Sequence, residues 1–257
     1  MAAFALARRL RAGETVYAAW CMMGSPIVAE TIAREGFSAV VLDAQHGLWD
    51  VASIITGIGA VNHAEAAPVV RIPLNDLAMV SRALDFGAEV IIAPMINDTD
   101  DARRFAAAAK YPPSGERSWG PLRAMAMQAP RTAPADYLRE ANEGTLTFAM
   151  IETAIALGNA DKIAATPGID GLFVGPYDLA TALSGGKAQD TQAPQVEQAI
   201  DKICAAAKAG GKIPGIYCRD AEGAVAMTKR GFRFVVAGND HTSLRAVTVA
   251  QLKALKG

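Results

Sequence analysis

The chain is poor in the residues that mark disulfide scaffolds, metal fingers and nucleic-acid surfaces. Its 257 residues include three cysteines, Cys21, Cys204 and Cys218. An odd count without ligand-like spacing argues against a disulfide framework or a structural zinc site and fits a reduced, cytoplasmic setting. Charge of one sign is also missing: 25 basic side chains face 26 acidic ones, for a formal net charge of -1. With no lysine–arginine cluster to meet a nucleic acid or an acidic membrane, the expected partner is a small molecule. No apolar run reaches the roughly 18 residues of a membrane span. The opening MAAFALARRLRAGE places its arginines after a short apolar run, the reverse of a secretory signal, and reads as a helix leading into a first strand. There is no GxSxG elbow, no P-loop and no zinc-type histidine pair.

What the chain does have is apolar mass in a regular rhythm. Hydrophobic residues make up 51% and charged residues 20%, enough for a large buried core. Short, nearly continuous apolar runs read as parallel strands buried on both faces. They lie at Thr15–Met22, Ala39–Asp43, Pro68–Ile72, Val90–Met95, Thr145–Glu152, Gly171–Val174, Ile213–Cys218 and Phe234–Ala237. Helical patterns alternate with them at Ser25–Glu35, Trp49–Asn62, Asp76–Phe86, Asp98–Ala109, Ile155–Ala165, Gln195–Ala209, Ala221–Lys229 and Ser243–Lys256. Several end at a glycine able to take the left-handed cap, as in REG, DFG and KRG. Eight such units predict one (β/α)8 TIM barrel over residues 1–257. A doubly wound open sheet is the alternative, but no glycine fingerprint follows the first strand. Two stretches break the rhythm. Tyr111–Ala141, with Pro112, Pro113, Pro121, Pro130 and Pro134, is too long for a plain connection and reads as a functional excursion over one end of the barrel. Ser184–Pro194 is a shorter polar loop.

In parallel α/β folds the site forms at the carboxyl ends of the strands. Those ends carry Asp43 and His46 (LDAQHG), Arg71 (VVRIP), Glu152 (MIET), Asp178 (FVGPYD), and Asn239 and Asp240 (AGND). Glu152 and Asp178 are one β/α unit apart, which predicts neighbouring strands with backbones about 4.8 Å apart. Two carboxylates so close repel unless a cation lies between them. A hard divalent ion, Mg2+ or Mn2+ with Co2+ also possible, takes oxygen ligands and leaves positions for water and substrate. Asp178 could instead cap the helix that follows it. Arg71 is suited to a carboxylate or a developing enolate oxygen. His46, with Asp43 nearby, is suited to proton transfer near neutral pH, while His63 and His241 read as surface residues or caps. No lysine falls at a strand's carboxyl end, so a Schiff-base mechanism has no candidate.

The ordered set LDAQHG, VVRIP, APM, YPPSGERSWGP, IET and GPYDLA resembles the HpcH/HpaI family of class II pyruvate aldolases, from about Ala18 to the last helix. The resemblance implies reversible aldol addition of pyruvate or hydroxypyruvate to an aldehyde, with cleavage of 4-hydroxy-2-oxo acids through a metal-stabilised enolate. It implies Glu152 and Asp178 as metal ligands, Arg71 as the donor clamp, and His46 supported by Asp43 as the acid/base. Trp20, Gly175, Pro176 and Tyr177 join Arg71 in binding substrate, Tyr177 through its backbone N–H. It further implies that Asp85 reaches a neighbouring subunit's site, that the C-terminal helix is exchanged, and that the protein is a homo-oligomer, a hexamer. The sequence departs from the family pattern at Met150, where glutamine is common, and at Tyr177, where alanine is common. Arg117 and Arg123 in GERSWGPLRA are expected to shape the acceptor end. Two other readings stay open at this point: a CoA-thioester lyase of the citrate or malyl-CoA lyase type, and a non-catalytic keto-acid-binding barrel.

Overall fold

The computed structural model describes residues 4–128 and 132–256. In chain order its elements are α1 (Ala5–Arg11), β1 (Val16–Cys21), α2 (Pro26–Arg34), β2 (Ala39–Asp43), α3 (Val51–His63), β3 (Ala67–Arg71), α4 (Leu77–Phe86), β4 (Val90–Ala93), α5 (Thr99–Ala109), α6 (Leu122–Met127), α7 (Pro134–Gly144), β5 (Leu146–Ile151), α8 (Ala154–Ala165), β6 (Gly171–Val174), α9 (Pro176–Leu183), α10 (Pro194–Ala209), β7 (Ile213–Cys218), α11 (Ala221–Arg230), β8 (Phe234–Asn239) and α12 (Asp240–Lys256). The eight strands pair in parallel, in sequence order, and β8 closes onto β1. Each strand falls where the alternation of apolar runs places it, with ends differing by no more than two residues.

Successive strand side chains point to opposite faces, so each strand serves two cores. One set of alternate residues fills the barrel: Ala18 and Trp20, Val41, Val69, Ile92, Phe148 and Met150, Phe173, and Phe234 and Val236. The other set, including Val40, Leu42, Val70, Ile91, Ile151, Leu172 and Val235, packs under the helices. The lower interior is aromatic, with the Phe148 and Phe234 ring centroids 5.2 Å apart. Gly171 makes room for it, since a Cβ there would lie 2.3 Å from the Phe148 ring. Leu6 and Leu10 of α1 join the same interior cluster and plug the barrel's amino-terminal end.

Besides α1, three helices lie outside the eight helical patterns of the repeat, and one of them, α9, is the helix that Asp178 was read as able to cap. α6 and α7 lie inside the long excursion, where Pro134 opens α7 at its first turn, a position that proline tolerates. Phe4, Tyr111, Met125 and Tyr137 form a separate small core there, and Pro130 lies outside the described residues. The excursion joins α5 to β5, so it lies at the amino-terminal end of the barrel. α9 starts one residue after Gly175, again with proline at its first turn. Asp178 therefore lies in the first turn of a helix and not on a strand, which corrects the expectation of two strand-borne carboxylates. No described helix is long and apolar enough to cross a membrane.

Candidate active site

The inward register sets the site. Counting by twos up β2, β3 and β5 from the buried Val41, Val69 and Met150 reaches Asp43, Arg71 and Glu152, all directed into the barrel mouth. Asp43 and Arg71 are paired in register across β2 and β3. Asp43 is fully buried and Arg71 is 7% exposed. The Arg71 Nε donates to Asp43 Oδ1 at 2.8 Å, and Nη2 donates to Oδ2. Trp20 Nε1 donates to the same Oδ2 at 3.1 Å, and its ring lies 4.8 Å from the Arg71 guanidinium carbon. Burial alone would raise the Asp43 carboxyl. The hydrogen bonds and charge of Arg71, with Trp20 and the His46 N–H, outweigh it and hold the group below its ordinary value. This bidentate arrangement fixes the guanidinium plane and leaves Nη1 without a hydrogen-bond partner among the described residues.

This geometry corrects one expectation. Asp43 takes the backbone N–H groups of Gln45 and His46, not the imidazole. It is a positioning residue for Arg71 and for the loop that carries His46, and no Asp–His side-chain couple exists. The His46 side chain is exposed and lines the pocket.

Glu152 is 2% exposed, and its Oε1 accepts the Met95 N–H at 2.7 Å. Burial pushes this carboxyl up to about 7; the Met95 N–H opposes the rise, the charge of Asp178 adds to it, and Arg71 opposes it. Met95 has φ 55, in the left-handed region, a conformation that costs a non-glycine residue about 1–2 kcal/mol. The strain is held by Asn97, whose Nδ2 donates to the Met95 carbonyl at 3.0 Å and whose Oδ1 accepts the Thr153 hydroxyl. Gly175 faces the other carboxylate oxygen: a Cβ there would lie 2.5 Å from Glu152 Oε2 and 3.0 Å from Met150 Cε. This close approach is the physical reason for a glycine ahead of Pro176.

Around these groups lies a pocket of about 350 Å3, lined by Trp20, Met22, His46, Arg71, Met150, Phe173, Gly175, Pro176, Tyr177, Asp178, Tyr217, Arg219, Asn239 and Thr242. It thus joins Trp20, His46, Arg71, Gly175, Pro176, Tyr177, Asp178 and Asn239 of the residues expected at the site, with Asp43 and Glu152 buried behind Arg71 and Gly175. One wall is aromatic, with Tyr217 5.6 Å from Trp20 and 6.1 Å from Tyr177 between ring centroids, and Asn239 donating to the Tyr217 hydroxyl at 2.9 Å. Tyr217, Arg219, Met95 and Asn97 are additions that the sequence reading missed. Tyr217 was legible as the next inward position of β7. The role of Met95 depends on a backbone conformation that no residue pattern announces.

Four residues expected near the site lie away from this pocket. Asp240 is buried but accepts the N–H groups of Met22 and Met23, so it anchors the loop after β1. Asp85 ends α4 at the opposite pole, where Arg117 donates to it at 2.6 Å. Arg117 and Arg123 lie there too, Arg123 bonding the carbonyls of Ile55 and Phe86. They do not shape the acceptor end of their own protomer's pocket, because the excursion that carries them leaves from a helix end and not a strand end. Lysine is also missing from the pocket. The buried Lys110 Nζ lies at the far pole and is engaged by Asn142 O, Thr145 O and Asp170 Oδ2, each at 2.7 Å.

The acidic set available to a cation is small: no cluster of three or more His, Cys, Asp or Glu side chains occurs among the described residues. Glu152 and Asp178 nevertheless fit a hard divalent ion. One is a buried carboxyl raised further by its acidic neighbour, which a positive charge would relieve. Both offer oxygen, and Gly175 keeps space open beside Oε2. A site with two protein carboxylates leaves coordination positions for water and substrate.

Comparison with known proteins identifies the family and the fold. The family described as HpcH/HpaI aldolase/citrate lyase matches residues 17–246. The chain is 37% identical over 246 residues to a hydroxypyruvate/pyruvate aldolase of Rhizorhabdus wittichii, covering 95% of this chain and 96% of the relative. It is 36% identical over 239 residues to a 5-keto-4-deoxy-D-glucarate aldolase of Salmonella paratyphi C, covering 93% and 91%. A crystal structure of an HpcH/HpaI aldolase/citrate lyase family protein from Burkholderia cenocepacia superimposes with a TM-score of 0.88 at 33% identity, covering 98% of this chain and 99% of that one.

Proposed function

The chain belongs to the HpcH/HpaI aldolase/citrate lyase family, and on that footing we propose that it is a class II aldolase joining pyruvate or hydroxypyruvate to an aldehyde and cleaving 4-hydroxy-2-oxo acids in reverse. The observation that carries the reading is a buried carboxyl, Glu152, packed behind the pocket-lining Gly175, raised to about 7 and within reach of the charges of Asp178 and the oriented Arg71. Glu152 and Asp178 would hold Mg2+, Mn2+ or another hard divalent ion. Such an ion, when bound, polarises the donor's keto oxygen and lowers the cost of removing a proton from the adjacent carbon.

The chain's own groups supply the rest. Arg71, locked by Asp43 and Trp20, places positive charge where the enolate oxygen develops. The amino terminus of α9, with the N–H groups of Tyr177 and Asp178, receives the donor's carboxylate. His46 takes the proton from the donor's C3. That carbon then bonds to the aldehyde carbon, and the proton is returned to the new alkoxide, so atoms and charge balance. Met150 presents a thioether rather than an amide to the donor, which leaves more of its orientation to Arg71 and α9. Relatives 36–37% identical to the chain are aldolases, which favours aldol chemistry over thioester cleavage and over an inert barrel.

Assembly belongs to the same reading. Every residue of α12 after Asp240 is exposed, including Leu244, Val247, Leu252 and Leu255. Exchange of this helix between copies in a homo-oligomer, a hexamer, would cover them and would bring Asp85 of one copy toward the site of another.

The test is condensation of pyruvate with a panel of aldehydes. Excess chelator or Glu152→Ala abolishes product in this scheme; full activity under both conditions would sink it. Failure of the folded, metal-supplemented protein to exchange pyruvate methyl protons in deuterated water would favour a binding barrel.

A further inference from the structure

The mouth of the barrel contains two guanidinium groups in contrasting states. Arg71 is bound on two sides by Asp43. Arg219, the first residue after β7, lines the same pocket yet makes no ion pair or side-chain hydrogen bond with any described residue. It is exposed. Its neighbour Asp220 is engaged as the amino-terminal cap of α11, accepting the Gly223 N–H at 2.8 Å.

Position adds to this. Pro176, Tyr177, Tyr217 and Arg219 line both the 350 Å3 pocket and an adjoining groove of about 720 Å3, so they form the threshold between the two. The groove beyond is unfavourable to anions. It presents Asp190, Glu197, Asp220 and Glu222, while Arg230, its other cation, is already paired with Glu197 and Asp201. A negatively charged group would therefore find attraction at the threshold and repulsion further out. On the inner side of the threshold the donor's oxygens have Arg71 and the amino terminus of α9. The unpaired cation lies on the outer side of the Trp20–Tyr217–Tyr177 wall, where the second substrate must enter.

We propose that Arg219 is a specificity-determining residue that seats the terminal anionic group of the acceptor aldehyde, a carboxylate or a phosphate on a short chain. This rests on the aldolase reading above. The acidic groove behind Arg219 sets the length: a chain that carries its charge past the threshold gains nothing from the arginine and meets the carboxylates.

The experiment compares wild type with Arg219→Ala, Arg219→Lys and Arg219→Glu at saturating pyruvate and Mn2+. Acceptors are glyoxylate, succinic semialdehyde and glycolaldehyde phosphate, set against neutral glycolaldehyde and propanal. Loss of a charge-assisted contact raises KM for the preferred anionic acceptor by roughly 10- to 100-fold, with a much smaller change in kcat and in the neutral acceptors. Arg219→Lys recovers part of the loss and Arg219→Glu deepens it. The carboxylate and phosphate arms identify which anion is seated. Equal losses for charged and neutral acceptors, or a rise in the KM for pyruvate instead, would overturn the proposal while leaving the aldolase reading intact. If wild type turns over no acceptor, neutral ones included, the aldolase reading falls and this assignment falls with it.

Discussion

Replacing Asp43 by Asn tests whether the site's order starts from a buried ion pair. The substitution removes a charge from a fully buried position and leaves Arg71, 7% exposed, without its partner. It also turns one acceptor of the Arg71 fork into a donor. Breaking a buried pair from one side costs about 3–5 kcal/mol, and the lower end applies here because Arg71 borders a pocket that water can enter. At about 3 kcal/mol, for a domain of this size, that is a fall in Tm of roughly 6–12 °C. Asp43→Asn with Arg71→Met removes both charges and fills the space with an apolar chain, so it recovers most of the lost stability while remaining inactive. Denaturant unfolding followed by tryptophan fluorescence measures both, with Trp20 bonded directly to Asp43. The pH dependence has a definite sign. The folded Asp43 carboxyl is held below its ordinary 3.8, so its contribution is present above that pH and is lost as pH falls through the folded value. The double variant therefore shows a shallower acid limb. A single Asp43→Asn variant within 1 kcal/mol of wild type, or a double variant no more stable than the single, would refute the reasoning.

Gly175→Ala places a methyl group 2.5 Å from Glu152 Oε2 at a backbone φ of -96, which alanine adopts freely. The clash alone acts, so stability falls by about 1–3 kcal/mol and kcat/KM falls by roughly 100-fold as the carboxylate is displaced, read by thermal melts and steady-state rates. Glu89, with Oε2 buried and unpartnered, has its carboxyl pushed by burial up to about 7, against the pull of the Leu6 N–H and Arg8. A raised acid favours the fold below its unfolded value near 4.5 and loses that contribution as pH rises through about 7. Glu89→Gln should therefore match wild type in acid and gain on it by up to about 3 kcal/mol between pH 5 and 8; a pH-independent difference in unfolding free energy would contradict this.

Much of the fold was legible because a barrel strand is buried on both faces and leaves an unbroken apolar run, such as AVVLD and GLFVG. The polar residue at the end of each run then marks the mouth, which is how Asp43, Arg71 and Glu152 could be read directly. What stayed hidden depends on backbone geometry or on contacts distant in sequence. α9 is short and begins at a proline, so Asp178 reads either as carried at the strand's end or as a helix cap until the helix is seen to start two residues before it. Asp43 near His46 suggests a proton couple, and only the register with Arg71 shows where the carboxylate is engaged. Arg117 and Arg123 follow a helix, and the pole they occupy depends on which element precedes the excursion. Arg219 carries no motif at all. Its interest comes from what does not pair with it.

The most direct measurement is Mn2+ affinity, by paramagnetic resonance or calorimetry, for wild type, Glu152→Gln and Asp178→Asn, each verified as folded by circular dichroism. If both acids grip one ion, wild type binds a single Mn2+ and each substitution weakens it by roughly 100-fold or more. Unchanged affinity in either folded variant would contradict the shared site.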